Sequence, residues 1–174
     1  ESLDTFLESS IDKVAVPGVV ALVAGPESVI YHKAFGFQNV KGSVPMQPDS
    51  LVRIASMTNP VTSVAVMQLV ETGSVSLEAP VAKYLPEYAS LQKLNGSATE
   101  PVRSAVTIRQ LLAHTSGYGY WFANEQLSNI NRETGKDHED LPLVHEPGAK
   151  WTYGCSTLIL GFLVEKFSNE ILDQ

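Results

Sequence analysis

Cysteine, basic residues and long apolar runs are all scarce in this sequence, and each shortage excludes something. A single cysteine, Cys155, leaves no internal disulfide framework and no multi-cysteine zinc site. Twelve Lys and Arg stand against 19 Asp and Glu, a formal charge of −7. A nucleic-acid partner is therefore not expected, because binding the phosphate backbone needs a net basic face. The longest apolar runs, such as Val19 to Ala24, are too short to cross a bilayer, so no membrane span is expected. No basic and apolar leader opens the chain, which favours a soluble, cytoplasmic location. What is present is a chain of 174 residues, 44% apolar, enough to bury the core of about one domain.

Leu3, Phe6, Leu7 and Ile11 recur at helical spacing, so residues 3–13 read as an amphipathic helix. Two Val-rich runs, Val19 to Ala24 and Val29 to Phe37, flank the turn residues Gly25-Pro26-Glu27-Ser28 and predict a β-hairpin. From Ala55 the apolar period becomes helical and runs to Gly73, a residue suited to a left-handed helix end. Pro60 must lie in the first turn of that helix, which places Ser56 at or just before its start. Residues 77–85 read as a short helix closed by Pro86, and residues 93–104, with Asn95-Gly96-Ser97, as an exposed loop. Thr107 is the expected N-cap of a helix over 108–114, residues 123–134 form a further helix, and Leu158 to Phe167 a final buried one. A hairpin followed by a run of helices predicts the α+β class.

Ser56 is the first residue with chemical promise. A serine at a helix N-terminus lies beside unpaired backbone donors and the positive end of the dipole, which suits a nucleophile whose attack creates an oxyanion. The plain alternative is a serine that only caps the helix. Three segments weigh against that alternative. Ile54-Ala55-Ser56-Met57-Thr58-Asn59-Pro60, Thr107-Ile108-Arg109-Gln110-Leu111-Leu112-Ala113-His114-Thr115-Ser116-Gly117 and Pro147-Gly148-Ala149-Lys150-Trp151-Thr152-Tyr153-Gly154 resemble, in order, motif regions of the serine β-lactamase and penicillin-binding-protein superfamily. The likeness is to the class C type with its esterases, D-aminopeptidases and fungal acyltransferases, and it extends over nearly the whole chain.

The resemblance implies a β-lactamase/transpeptidase-like fold of the α+β class, an antiparallel hairpin joined to a helical part in a single domain over 1–174. It also implies a mechanism. Ser56 would attack an ester or amide carbonyl and form an acyl-enzyme. A lysine one turn later would take its proton, and Tyr153 would share the proton transfer. No cofactor is implied, and the partner would be a small acyl substrate. Tyr118, Tyr120 and Trp121, with Phe122, fall where the family borders its acyl pocket, so they could contact substrate or merely pack a loop.

Two departures stand out. Position 59 is Asn, and a neutral amide cannot accept the serine proton, although it can still hydrogen-bond Ser56 and Tyr153. No Lys-Thr-Gly or His-x-Gly triplet follows Tyr153, so the chain corresponds to the N-terminal side of the family's fold, ending before the remaining sheet strands. Two functional expectations follow. One is a serine hydrolase or acyltransferase with impaired chemistry. The other is a non-catalytic relative that binds a small molecule or assembles with a second copy or a complementing chain. Among the remaining residues, Cys155 reads as a small buried residue and His114 as a structural hydrogen-bonding one. His138 and His145, among Asp137, Glu139, Asp140 and Glu146, read as a charged solvated loop and not as metal ligands, since no ligand spacing matches.

Overall fold

The structure, a computed structural model, describes residues 2–14 and 16–172. It falls into two compact units, residues 1–54 and 55–174. Among the described residues no helix is long and apolar enough to cross a membrane.

The first unit holds helix α1 (Leu3–Val14) and an antiparallel hairpin of β1 (Gly18–Ala24) and β2 (Val29–Gly36). Val19 pairs with Phe35 and Val23 with Tyr31, and the register slips at Val23/Ala24 next to the Gly25–Ser28 turn. The Asp4 carboxylate ties α1 to β2 by accepting from the Tyr31 hydroxyl at 2.7 Å and from the Lys33 ammonium. At the far end of the hairpin Gly36 has φ 76°, and a Cβ there would lie 2.4 Å from the Pro17 carbonyl oxygen. Only glycine fits that crossing.

Among its described residues the second unit contains four α-helices. They are α2 (Thr58–Glu71), α3 (Ile108–Leu112), α4 (Glu125–Thr134) and α5 (Ser156–Ser168). A second antiparallel hairpin joins β3 (Gln92–Asn95) to β4 (Ala98–Pro101). The core runs between α2, α3 and α5, where Val66, Ile108, Leu111, Ile159 and Leu163 lose all solvent contact. Burying such side chains contributes roughly 1.5–3 kcal/mol each. Helix α2 and its N-cap residue also carry an outward apolar stripe, Met57, Val61, Val64 and Met67, spaced three to four residues apart and exposed.

The expected helix starts and stops are largely present. Pro60 sits in the first turn of α2, and Gly73 takes φ 76° just beyond its end. Thr107 caps α3 with a full capping box, its side chain accepting from the Gln110 N–H while the Gln110 side chain accepts from the Thr107 N–H. That helix stops at Leu112, two residues early, and His114 takes φ 54°.

Three expectations fail. Residues 77–85 form no α-helix: only a 3-10 turn at Val81–Lys83 appears, followed by another at Pro86–Ala89. Pro80 and Pro86 lack the N–H a continuous helix needs, and Val81 instead donates to the Val106 carbonyl at 2.8 Å. The stretch 93–104 is not a loop throughout, since β3 and β4 turn at Asn95–Ala98 with Gly96 at φ 57°. The charged stretch after Lys136 is not simply solvated either. Leu141, Leu143 and His145 are buried, and Leu143 exchanges backbone hydrogen bonds with Gln92 and Leu94 along the edge of β3.

Candidate active site

The chain approaches α2 through a 3-10 turn, Ala55–Met57. Ala55 takes φ 45°, a left-handed conformation that a non-glycine residue holds only when its surroundings enforce it. Ser56 follows directly and is exposed. The N-cap of α2 is Met57, with no side-chain cap, and the Ser56 hydroxyl makes no hydrogen bond to any described residue. Ser56 is therefore not a capping serine. Its Oγ stands free at the positive end of a fourteen-residue helix.

Asn59 lies one helical turn further on, in the first turn of α2. Its Nδ2 donates to the Tyr153 hydroxyl at 2.8 Å, a bond between residues 94 positions apart in the sequence. The amide thus occupies the place of the expected lysine and keeps the phenol in register with α2.

Tyr153 is held from several sides. The preceding Thr152 N–H donates to the His114 carbonyl at 2.8 Å, and the Thr152 hydroxyl is within 2.9 Å of His145 Nε2. The following residue, Gly154, passes so close to residue 118 that a Cβ would lie 2.1 Å from the Tyr118 carbonyl oxygen. The Tyr153 ring packs against His114 at 4.7 Å between centroids, against Tyr120 at 5.9 Å and against Trp151 at 6.2 Å. Aromatic pairs at these separations gain stability beyond area burial.

His114 contributes differently from expectation. Its Nδ1 is buried without a hydrogen-bond partner, so the ring serves by packing. Burial holds its pKa below the usual imidazole value, favouring the neutral ring beside Tyr153. His145, expected in a solvated loop, is 8% exposed and helps fix Thr152. His138 stacks on Trp121 at 5.7 Å with an interplanar angle of 13°.

The aromatic run after Gly117 divides. Tyr118 is 1% exposed within the core, its hydroxyl is unpartnered, and burial raises its pKa strongly. Tyr120 stacks on Phe122 and faces Tyr153, and burial raises its pKa. Trp121 stands partly open beside His138. Cys155, buried as expected, has its thiol pushed up to about 12 by burial and then by the Glu139 charge, so it is no nucleophile. Asn59, Tyr120 and Cys155 also line a cavity of about 630 Å³ beside α2 and α5. Its α5 wall escaped the sequence reading. The signal lay in Leu158 and Phe162 alternating with the fully buried Ile159 and Leu163 on one helix.

The Beta-lactamase family model matches residues 3–174. The chain belongs to that family. Among its relatives, the esterase EstB of Burkholderia gladioli is 34% identical, in an alignment covering 98% of this chain and 46% of that protein. The acyltransferase calJ of Penicillium decumbens is 35% identical over 82% of this chain and 38% of its own length. The simvastatin synthase LovD of Aspergillus terreus, as the LovD6 mutant, superposes with a TM-score of 0.83 at 28% identity, covering 95% of this chain and 44% of that one. The β-lactamase-like α+β fold and the serine hydrolase and acyltransferase character of the family are thus shown, as the three motif segments implied. The chain spans less than half the length of these relatives.

Proposed function

We propose that the start of α2 is an acyl-transfer site in which Ser56 attacks an ester carbonyl without a strong general base. The hydrogen bond from Asn59 to Tyr153 is the observation that carries this reading. A site that had merely decayed would have no reason to keep an amide and a phenol in register across 94 residues. A neutral amide can hold the phenol and orient an incoming carbonyl, but it cannot take a proton. Ser56 Oγ forms the bond to the acyl carbon, the hydroxyl proton leaves to water, and the bond to the alkoxide or phenolate leaving group breaks. The Ser56 N–H and the unpaired N–H groups of the first turn of α2, Pro60 excepted, are the donors available to the developing oxyanion. A second alcohol or water then takes the acyl group.

Esters suit this site better than amides or lactams. An amine must be protonated as it leaves, whereas an activated alkoxide or phenolate departs unaided. Losing general-base help typically costs about a hundred- to ten-thousand-fold, so turnover is slow. A second reading, a binding module without turnover, is favoured by that same neutral amide. Treatment with a fluorophosphonate probe followed by intact and peptide mass analysis separates the two. The acyl-transfer reading expects a slow adduct on Ser56 that the Ser56→Ala variant lacks. A folded chain that stays unmodified after prolonged exposure supports the binding module instead.

A further inference from the structure

Outside the Ser56 site, we infer that the cavity between the β3–β4 hairpin and the 3-10 turn His138–Asp140 binds a small linear diamine or polyamine. The inference does not depend on the reading of Ser56, because this cavity shares no lining residue with the one beside α2 and α5. Its volume, about 580 Å³, is enough for a small organic ligand. Two short turns supply most of its charge. Pro86–Ala89 contributes Glu87 and Tyr88, and His138–Asp140 contributes Glu139 and Asp140. Lys136 is the one cation in the lining, so three carboxylates stand against one ammonium. None of these four charges is paired with a described residue. The ion pairs among the described residues join Asp4 to Lys33, Glu100 to Lys93 and Glu78 to Arg109.

Tyr88 adds an unsatisfied group to the same wall. It is 9% exposed and lines the cavity, yet its hydroxyl makes no hydrogen bond to any described residue. Nor is that hydroxyl sealed in the core like the one on Tyr118, so the little of Tyr88 that stays open includes its oxygen. Burial, then the charges of Glu139 and Glu87, raise its pKa and keep it a neutral hydroxyl, able to accept from an ammonium N–H. The ligand class follows from how the charges are spread. Among the described residues no three His, Cys, Asp or Glu side chains gather closely enough to hold a metal ion, so these carboxylates do not converge on one point. They form two groups, Glu87 on one turn and Glu139 with Asp140 on the other. A single compact cation meets one group, whereas ammonium groups at the two ends of a methylene chain meet both. Leu91, Ile130 and Leu141 in the lining give the methylenes an apolar surface.

The test is calorimetric titration of the full chain at low salt with putrescine, with spermidine and with uncharged butanediol. Both amines should bind saturably, one per chain, and the diol should not bind. An exposed ion pair is worth up to about fivefold, so Glu139→Gln weakens putrescine by up to that factor. The triple variant Glu87→Gln, Glu139→Gln, Asp140→Asn weakens it about tenfold or more. Tyr88→Phe removes an oxygen that has no partner in the fold, so it leaves the urea midpoint unchanged and weakens binding about threefold to tenfold. Lys136→Gln removes the competing ammonium and tightens binding. Glu27→Gln, in the turn of the first hairpin, leaves binding unchanged and separates the site from the general acidity of the chain. The proposal is overturned by absence of saturable amine binding, by a diol that binds as well, or by a Glu27→Gln loss as large as that of Glu139→Gln. It is equally overturned if Lys136→Gln weakens binding, the sign of an anionic or zwitterionic occupant.

Discussion

Replacing Asn59 by lysine puts the proton-transfer argument to its most direct test. The amide nitrogen now stands 2.8 Å from the Tyr153 oxygen, so an ammonium at this position falls within about 4 Å of it. Two unit charges at that distance attract by about 1 kcal/mol in water and about 4 kcal/mol at an effective dielectric near 20. Tyr153 is 36% exposed, so screening holds the gain toward the lower figure, about fivefold to tenfold in rate from charge alone. A lysine that also accepts the serine proton adds general-base help of about a hundredfold or more. The second effect outweighs the first, and Asn59→Arg separates them, because a guanidinium brings the charge and never gives up its proton. Stopped-flow release of nitrophenolate, followed from about pH 6 to 9, is the assay. The unmodified chain should accelerate with hydroxide throughout. Asn59→Lys should rise about a hundredfold at neutral pH and level off, while Asn59→Arg gains tenfold at most. A folded Asn59→Lys variant no faster than the parent, or an arginine variant as fast as the lysine one, refutes the reasoning.

Three further outcomes follow from the packing around the site. Ser116 and Ser156 share a fully buried hydroxyl pair at 2.8 Å, so Ser116→Ala should cost about 1–3 kcal/mol in urea unfolding. The double variant with Ser156→Ala should cost less than the two single losses added together. His114 has its pKa depressed by burial, so its neutral form supports the fold above about pH 6.5, and that support is lost as pH falls through the depressed value. His114→Asn, which tolerates φ 54°, should flatten the fall in urea midpoint between neutral pH and about pH 5. The Cys155 thiol, raised to about 12, should resist iodoacetamide at about pH 8.5 in the folded chain and react readily in urea, as read by intact mass.

The helix ends that frame the candidate site were legible because their signals are local. Pro60 and Gly73 bracket α2, and Thr107 with Gln110 opens α3, so the ends of those helices follow from single residues. Ser56 could be placed one turn ahead of Asn59 for the same reason. The losses came where local composition and long-range pairing disagree. Asn95-Gly96 is a strong hairpin turn, yet its four-residue strands are polar enough to read as loop until Leu143 comes alongside. Charge obscured residues 141–147, where buried and half-buried positions alternate strictly, as on a strand. The contact of His114 with Tyr153 left no trace in either segment, because it depends on Thr152 reaching the His114 carbonyl.

The amide–phenol bond between Asn59 and Tyr153 also bears on when the site comes into being during folding. Its two ends are separated by 94 residues, so closing that loop costs chain entropy before any local contact repays it. The ends of α2 and α3 are set by residues close to them in sequence, but neither helix brings Tyr153 to Asn59. A nascent or partly unfolded chain thus presents the Ser56 hydroxyl without the phenol. The pairing of Asn59 with Tyr153 is therefore a late event, gained only when α5 docks against α2.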